Sequence, residues 1–155
     1  MSELEIKTVS ITDTVVLGRG VTVYQPSNLY DCEIGDQSFV GPFVEVQRGV
    51  RIGSNTKIQS HSFICELVTI GDNCFIGHAV VFINDTFTEG GPSMGDKTKW
   101  LPTVLGDKIS IGSNSTILPV KICDDVVIAA GSVVTRDITK PGVYGGNPAR
   151  FMRQI

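Results

Sequence analysis

From Ile34 to Phe82 an aliphatic or aromatic residue returns at every sixth position: Ile34, Val40, Val46, Ile52, Ile58, Ile64, Ile70, Ile76 and Phe82. A glycine follows five of these anchors, at Gly35, Gly41, Gly53, Gly71 and Gly77. Four places after each anchor stands a small or β-branched residue: Ser38, Val44, Val50, Thr56, Ser62, Val68, Cys74 and Val80. A period of six fits neither a helix nor a plain alternating strand; it predicts a parallel β-helix. The spacing continues upstream through Leu17, Val23 and Leu29, and downstream through Leu105, Ile111, Ile117, Ile122, Ile128 and Val134. Two steps are one residue short, Leu29 to Ile34 and Ile117 to Ile122. Eighteen anchors, taken three to a turn, give about six coils of a triangular prism. The anchors fill the core, each Val or Ile contributing roughly 1.5–3 kcal/mol. A Gly or polar residue near each corner is expected to permit the bend, glycine tolerating the backbone angles that a tight corner demands. One coil cannot bury its own face, so stability comes from stacking.

Two segments leave the pattern. The excursion of residues 84–103 is polar and glycine-rich and holds the only Trp. It is expected to project from one corner, and long loops of this kind are often functional. The tail of residues 135–155 carries Pro141, Gly142, Gly145, Gly146 and Pro148, which end the repeat. A turn, a short strand near Val143–Gly145 and a terminal segment folding back are expected there. Residues 1–155 thus read as a single domain.

Candidate chemistry is sparse. His61 and His78 follow anchors eighteen residues apart, so both flank one corner on adjacent coils. Either can be a solvated turn residue or a general base, a role suited to a side chain that titrates near neutrality. Asn84 and Asp85 open the excursion at a rigid strand end, where a group is held while the loop covers a ligand. Gln47 and Gln59 stand where glycine is frequent and are candidates for hydrogen bonds to a sugar or base. Trp100, near Lys97 and Lys99, is placed to cover a ring or to pack back on the scaffold. Ala129, Ala130 and Gly131 leave backbone open to an extended ligand, with Arg136, Lys140 and Arg150 just beyond as positive charge.

The formal charge of −3 and scattered basic residues give no pull towards nucleic acid or a membrane surface. The four cysteines form no Cys-x-x-Cys pair, and two histidines fall short of a three-histidine metal site of the γ-carbonic anhydrase kind. No metal is expected. The opening MSELEIKTVS has no apolar signal core, and a reduced, cytoplasmic protein is the default.

Together these residues resemble the hexapeptide-repeat acyltransferases with a left-handed parallel β-helix, over roughly residues 9–153. The ending AAGSVVTRDITKPGVYGGNPAR, Ala129 to Arg150, is similar to coenzyme A-dependent members. The segment IQSHSFICELVTIGDNCFIGHAVVFIND, Ile58 to Asp85, resembles the subgroup that N-acetylates the 3-amino group of nucleotide-linked sugars for surface glycans. The resemblance implies an all-β, left-handed fold and a homotrimer with sites at subunit interfaces. Acetyl-CoA is the implied cosubstrate, lying by Ala130 and Gly131 with Arg136, Lys140 and Arg150 at its phosphate end. A dTDP- or UDP-linked amino sugar would lie near Asn84 and His61. Asn84 would orient the amine, with His78 and then His61 as candidate bases. The chain departs from the pattern at Ala129 and Cys123, where Gly is frequent, and at Leu118-Pro119-Val120, which lacks a Gly. No nucleotide-binding domain is expected ahead of the repeat, unlike the 4-amino-sugar enzymes that carry one. O-acetylation of a sugar or antibiotic and a non-catalytic structural trimer are the competing readings.

Overall fold

The computed structural model describes residues 10–155. The opening of the chain read above as lacking a signal core lies, through residue 9, outside the described residues. The anchors form the second residue of two-residue strands or the last of three-residue strands, and three parallel sheets run the length of a prism. The first face stacks Val16–Leu17, Glu33–Ile34, Arg51–Ile52, Val68–Ile70, Thr103–Leu105 and Lys121–Ile122. The second stacks Thr22–Val23, Phe39–Val40, Lys57–Ile58, Phe75–Ile76, Ser110–Ile111 and Val126–Ile128. The third stacks Asn28–Leu29, Glu45–Val46, Phe63–Ile64, Val81–Phe82, Thr116–Ile117 and Val133–Val134. Six full coils result, as the anchor spacing predicts. Single parallel bridges, Ile11 with Leu29 and Ile122 with Ile138, carry the solenoid to about seven turns.

From Leu29 to Val134 every anchor is buried and belongs to one continuous core. The positions four places on are buried with them, and their hydroxyls solve a local problem. Ser38 Oγ donates to Gly53 O at 2.9 Å and accepts from Thr56 N at 3.0 Å. Thr56 and Ser62 repeat this bridge one coil or one corner away. Each buried hydroxyl is therefore paired, which removes the cost of an unsatisfied polar group in the core.

The glycines differ from expectation. The residue with left-handed backbone is three places after the anchor and is mostly not glycine: Gln37, Phe43, Asn55, His61, Leu67, Asn73, Ala79, Lys108, Asn114 and Asp125 all have φ of 52–65° or, for Leu67, 71°. Gly35 and Gly77 are needed for another reason. A Cβ on Gly35 would stand 2.6 Å from Ser54 N, and one on Gly77 would stand 2.7 Å from Ile111 O. Glycine beside the anchor lets coils approach; the turn itself is made by a side-chain-bearing residue.

The 35-residue register between Thr69 and Val104, and the 17-residue registers Leu17–Ile34 and Val104–Lys121, locate every irregularity. The excursion and both short steps fall on the corner joining the third face to the first. At the end of the prism, Gly142–Gly145 adds a parallel strand to Val126–Ile128, and Arg150–Arg153 folds back antiparallel on it. The expected strand and returning tail are both present.

Candidate active site

The third-to-first corner carries a hydrogen-bonded chain of side chains. Tyr30 Oη donates to Glu45 Oε1 at 3.1 Å, and Gln47 Nε2 donates to the same oxygen at 3.0 Å. Gln47 Oε1 accepts from Glu66 N at 3.2 Å. Burial, and then the Glu45 charge, push the Tyr30 phenol above its ordinary value. One coil further on, Asn84 Nδ2 donates to Glu66 O at 3.3 Å. A carbonyl only accepts, so the amide nitrogen must face Glu66 and Oδ1 faces away. Asn84 Oδ1 has no partner among the described residues. Asn84 is one of the residues lining a groove of about 470 Å³ on the third face, with Phe63, Val81, Ile83, Phe87 and Leu118.

The excursion is ordered by its own polar side chains. Asn84 O accepts from Leu101 N at 2.9 Å, closing its base. Asp85 accepts from Ser93 N at 2.7 Å and Phe87 N at 3.0 Å, and these bonds, Ser93 first, hold its carboxyl below the usual range. Lys97 Nζ reaches both oxygens of Glu66, at 2.7 and 2.8 Å. The same ammonium sits 5.3 Å from the centre of the Trp100 ring, whose Nε1 donates to Ser93 Oγ at 2.7 Å. Lys99 is paired with Glu89 at 2.6 Å. A single 3₁₀ turn, Lys97–Lys99, is capped by Asp96. Trp100 packs back on the loop, and both lysines beside it are taken up by carboxylates.

The second-to-third corner carries the remaining candidates as one ridge. His61 takes the left-handed corner position, with φ of 65°, and stacks on Phe43 of the preceding coil with ring centres 4.8 Å apart. His78 Nδ1 lies 2.9 Å from Ser60 Oγ, and its backbone N donates to Ser113 Oγ at 3.1 Å. Gln59, beside Ser60, is half-buried. Further along the same corner come Ala129, packed against Gly145, then Ala130 and Gly131, both exposed. Gly131 has φ of 69° and open space where a side chain would stand. Beyond it, Arg136 and Arg150 line one cleft and Lys140 the next, with Tyr144 and Phe151 shared between them.

One chain therefore unites His61, His78, Gln59 and the small residues, and separately unites Gln47, Asn84, Asp85 and Trp100. It does not bring the histidines to Asn84. His78 precedes the strand Val81–Phe82 and Asn84 follows it, so the two stand at the opposite corners that bound the third face. Tyr30, Glu45 and Glu66 are the residues that sequence reasoning did not single out, and Lys97, read there as a neighbour of Trp100, pairs with Glu66. For Glu66 the signal was present: it precedes Asn84 by eighteen, one coil.

Residues 31–66 match the family described as bacterial transferase hexapeptide (six repeats), and residues 67–83 and 102–136 match the hexapeptide repeat of succinyl-transferase. The gap between the latter two stretches is the excursion. The chain belongs to the hexapeptide-repeat acyltransferase family. Among individual proteins, it is 36% identical over 126 residues to the bifunctional protein GlmU of Limosilactobacillus fermentum, covering 72% of this chain and 25% of that protein. The chain thus spans about a quarter of the length of that relative. The fold is shared with AntD, an N-acyltransferase from Bacillus cereus, in a complex with dTDP-4-amino-4,6-dideoxyglucose and coenzyme A. Its TM-score is 0.80 at 22% identity, covering 91% of this chain and 83% of AntD. It is shared also with PerB from Caulobacter crescentus, in complex with CoA and GDP-perosamine, at a TM-score of 0.64 and 20% identity, covering 92% of this chain and 56% of PerB. Among the described residues no helix is long and apolar enough to cross a membrane, and no group of three or more His, Cys, Asp or Glu is placed to hold a metal ion.

Proposed function

We propose that this protein is an acetyl-CoA-dependent N-acetyltransferase acting on the 3-amino group of a dTDP- or UDP-linked sugar, in the cytoplasmic stage of surface glycan synthesis. The observation that carries the reading is the Asn84 amide. It is pinned through its nitrogen to Glu66 O, its oxygen has no partner among the described residues, and the residue lines a groove. An amide oxygen so held accepts a hydrogen from a sugar amine and aims the nitrogen lone pair at a thioester carbonyl. Positioning of this kind accounts for a large share of the barrier in a two-substrate transfer.

Acetyl-CoA lies along the second-to-third corner, its pantetheine passing Ala129, Ala130 and Gly131 and its phosphates meeting Arg136, Lys140 and Arg150. The neutral amine attacks the thioester carbonyl carbon, the tetrahedral intermediate collapses, and the CoA thiolate leaves. The amine proton goes to His78 Nε2 or to the departing sulfur. Donation from Nδ1–H to Ser60 Oγ is the tautomer that makes Nε2 the nitrogen able to accept it. His61, stacked on Phe43, is the second candidate, and Gln59 is the side chain on that ridge best placed to meet the sugar. Gln47, Asp85 and Trp100 act from behind, by holding Glu66 and the excursion in place.

Because Asn84 and His78 stand at opposite edges of one face, a site using both draws them from two subunits. That favours a homotrimer of prisms with a site at each interface. The test is release of free thiol from acetyl-CoA by the purified chain, offered a panel of nucleotide-linked 3-amino and 4-amino sugars. Turnover of a 3-amino sugar is expected; turnover of 4-amino sugars alone refutes the positional assignment. Binding of acetyl-CoA without amine transfer, joined to acetylation of a sugar hydroxyl, replaces the reading with O-acetylation. Failure to bind acetyl-CoA leaves the structural trimer.

A further inference from the structure

We infer that Ser60 is a positioning residue for the transfer: it holds His78 with the proton on Nδ1, so that the amine proton goes to His78 Nε2 and not to the departing sulfur. The inference rests on the reading that this chain transfers an acetyl group to an amine. Two places after the anchors of the second face, the second-to-third corner reads Pro42, Ser60, His78, Ser113 and Ala130 on successive coils. The same position after the first-face anchors shows what the corner ordinarily does with it. Asp72 accepts from Ser54 N at 2.7 Å, Asp107 from Asp72 N at 2.8 Å and Asp124 from Asp107 N at 2.8 Å. Each side chain there takes up a backbone N–H of the preceding coil. Ser113 does this for His78, its Oγ accepting from His78 N at 3.1 Å. His78 departs from the rule: its ring Nδ1 meets the side-chain hydroxyl of Ser60, at 2.9 Å. The backbone of His78 is thus held from one neighbouring coil and its ring from the other. His61 stacks on Phe43 instead, and among the described residues neither of its ring nitrogens is hydrogen-bonded.

The bond at Nδ1 decides what Nε2 can do, because the partner of one ring nitrogen sets the protonation of the other. A serine hydroxyl can donate to a neutral imidazole or accept from it. In the imidazolium both nitrogens are donors, and Ser60 Oγ can only accept. His78 Nε2 has no partner among the described residues, so it is the ring atom open to a substrate. The amine forms its C–N bond to the thioester carbonyl carbon and passes one proton to Nε2, while Nδ1–H stays on Ser60. The C–S bond then breaks, its electron pair leaves on the thiolate, and the imidazolium returns the proton to sulfur. The products are the amide and the free thiol.

The experiment reads tautomer and turnover separately on the full chain. The sequence holds two histidines, so NMR of isotopically labelled ring nitrogens sees two rings, told apart with His61→Gln. In buffer more alkaline than the ordinary histidine range, His78 is expected as the Nδ1–H tautomer, and Ser60→Ala is expected to return it to the Nε2–H form usual for free imidazole. On a 3-amino sugar that the wild type turns over, Ser60→Ala should lower kcat about tenfold with KM within about twofold, and His78→Gln should lower kcat about a hundredfold. Ser60 acts through His78, so the double variant should be no slower than His78→Gln alone. An Nε2–H tautomer in the wild type overturns the inference without recourse to any variant. A loss in the double variant equal to the two single losses combined also overturns it. Full kcat in His78→Gln sends the proton to the sulfur, which overturns the inference and leaves the N-acetyltransferase reading intact. Turnover of no amine sinks the proposed function, and this inference with it.

Discussion

Replacing Asn84 by alanine separates positioning from stability. The side chain makes one bond to the fold, from Nδ2 to Glu66 O, and at 3.3 Å it is longer than most N–H···O bonds. A neutral bond of that length is worth about 0.5 kcal/mol. In a domain of this size such a loss lowers Tm by about 1–2 °C. The bond that closes the excursion, Asn84 O with Leu101 N at 2.9 Å, belongs to the backbone and survives the substitution. Its loss to catalysis is larger. Without the amide the amine is free to turn away from the thioester, and misplacement on that scale costs about a hundredfold, or about 2.7 kcal/mol. The barrier effect thus exceeds the stability effect about fivefold. We expect kcat to fall about a hundredfold with the melting point nearly unchanged. Thiol release gives kcat and KM, differential scanning calorimetry gives Tm, and Trp100 emission reports whether the excursion has kept its place. Retention of kcat within about threefold, with abolition by His78→Ala, would refute the assignment of Asn84.

Lys97→Met removes an ion pair whose cation is about half exposed, with side-chain exposures of 53% for Lys97 and 19% for Glu66. Solvent screening limits its worth to about 1 kcal/mol. KM for the sugar should rise by up to about fivefold and Trp100 emission should shift, with kcat changed less; a fall in kcat with KM unmoved would show that the latch does not order the binding loop. The depressed Asp85 carboxyl contributes loop order that is present above its ordinary value of 3.8 and is lost as pH falls through the lower folded value. Trp100 emission should therefore hold steady from pH 8 to about 5 and change only in stronger acid; a transition near pH 6 would count against Asp85 as the loop anchor. Burial pushes the Cys32 thiol up to about 11 and Cys65 up to about 12, and Cys74 is buried as well. A thiol reagent at pH 8 should find at most Cys123 in the native protein and all four cysteines after unfolding; rapid reaction of two or more native thiols would contradict the packing of the core.

Most of the fold was legible because one physical constraint writes the repeat. A side chain pointing into a triangular prism must be apolar, and it returns at every face, so all eighteen anchors fall on strands. The added turn was harder to read. Ile138 pairs with Ile122 after only sixteen residues, a spacing that matches neither the six-residue step nor the full coil. The role of the glycines was misread because composition does not tell whether a glycine is present for its backbone angles or for its missing Cβ; only the neighbouring coil decides. The same limit applies to the site. Trp100 and Gln47 stood out as unusual residue types, yet both are committed to internal hydrogen bonds. Glu66, an ordinary surface residue by type, holds Asn84 from one coil below. Its role is a matter of register, and register is visible in sequence only after the coil length is known.

The confinement of every irregularity to one edge of the prism divides the molecule into a ruler and a socket. Two edges keep uninterrupted spacing and measure out a fixed length, against which a long linear ligand can be laid without regard to what the third edge carries. The third edge absorbs a shortened step or a seventeen-residue insertion and returns the chain to register within one coil. Exchange of the excursion between Asn84 and Thr103 for a loop of different length and charge should therefore leave the rest of the coil in place. Under the proposed function, specificity for the acceptor can drift on such an architecture while the donor groove stays constant, and the excursion is the segment to graft when a different sugar is wanted.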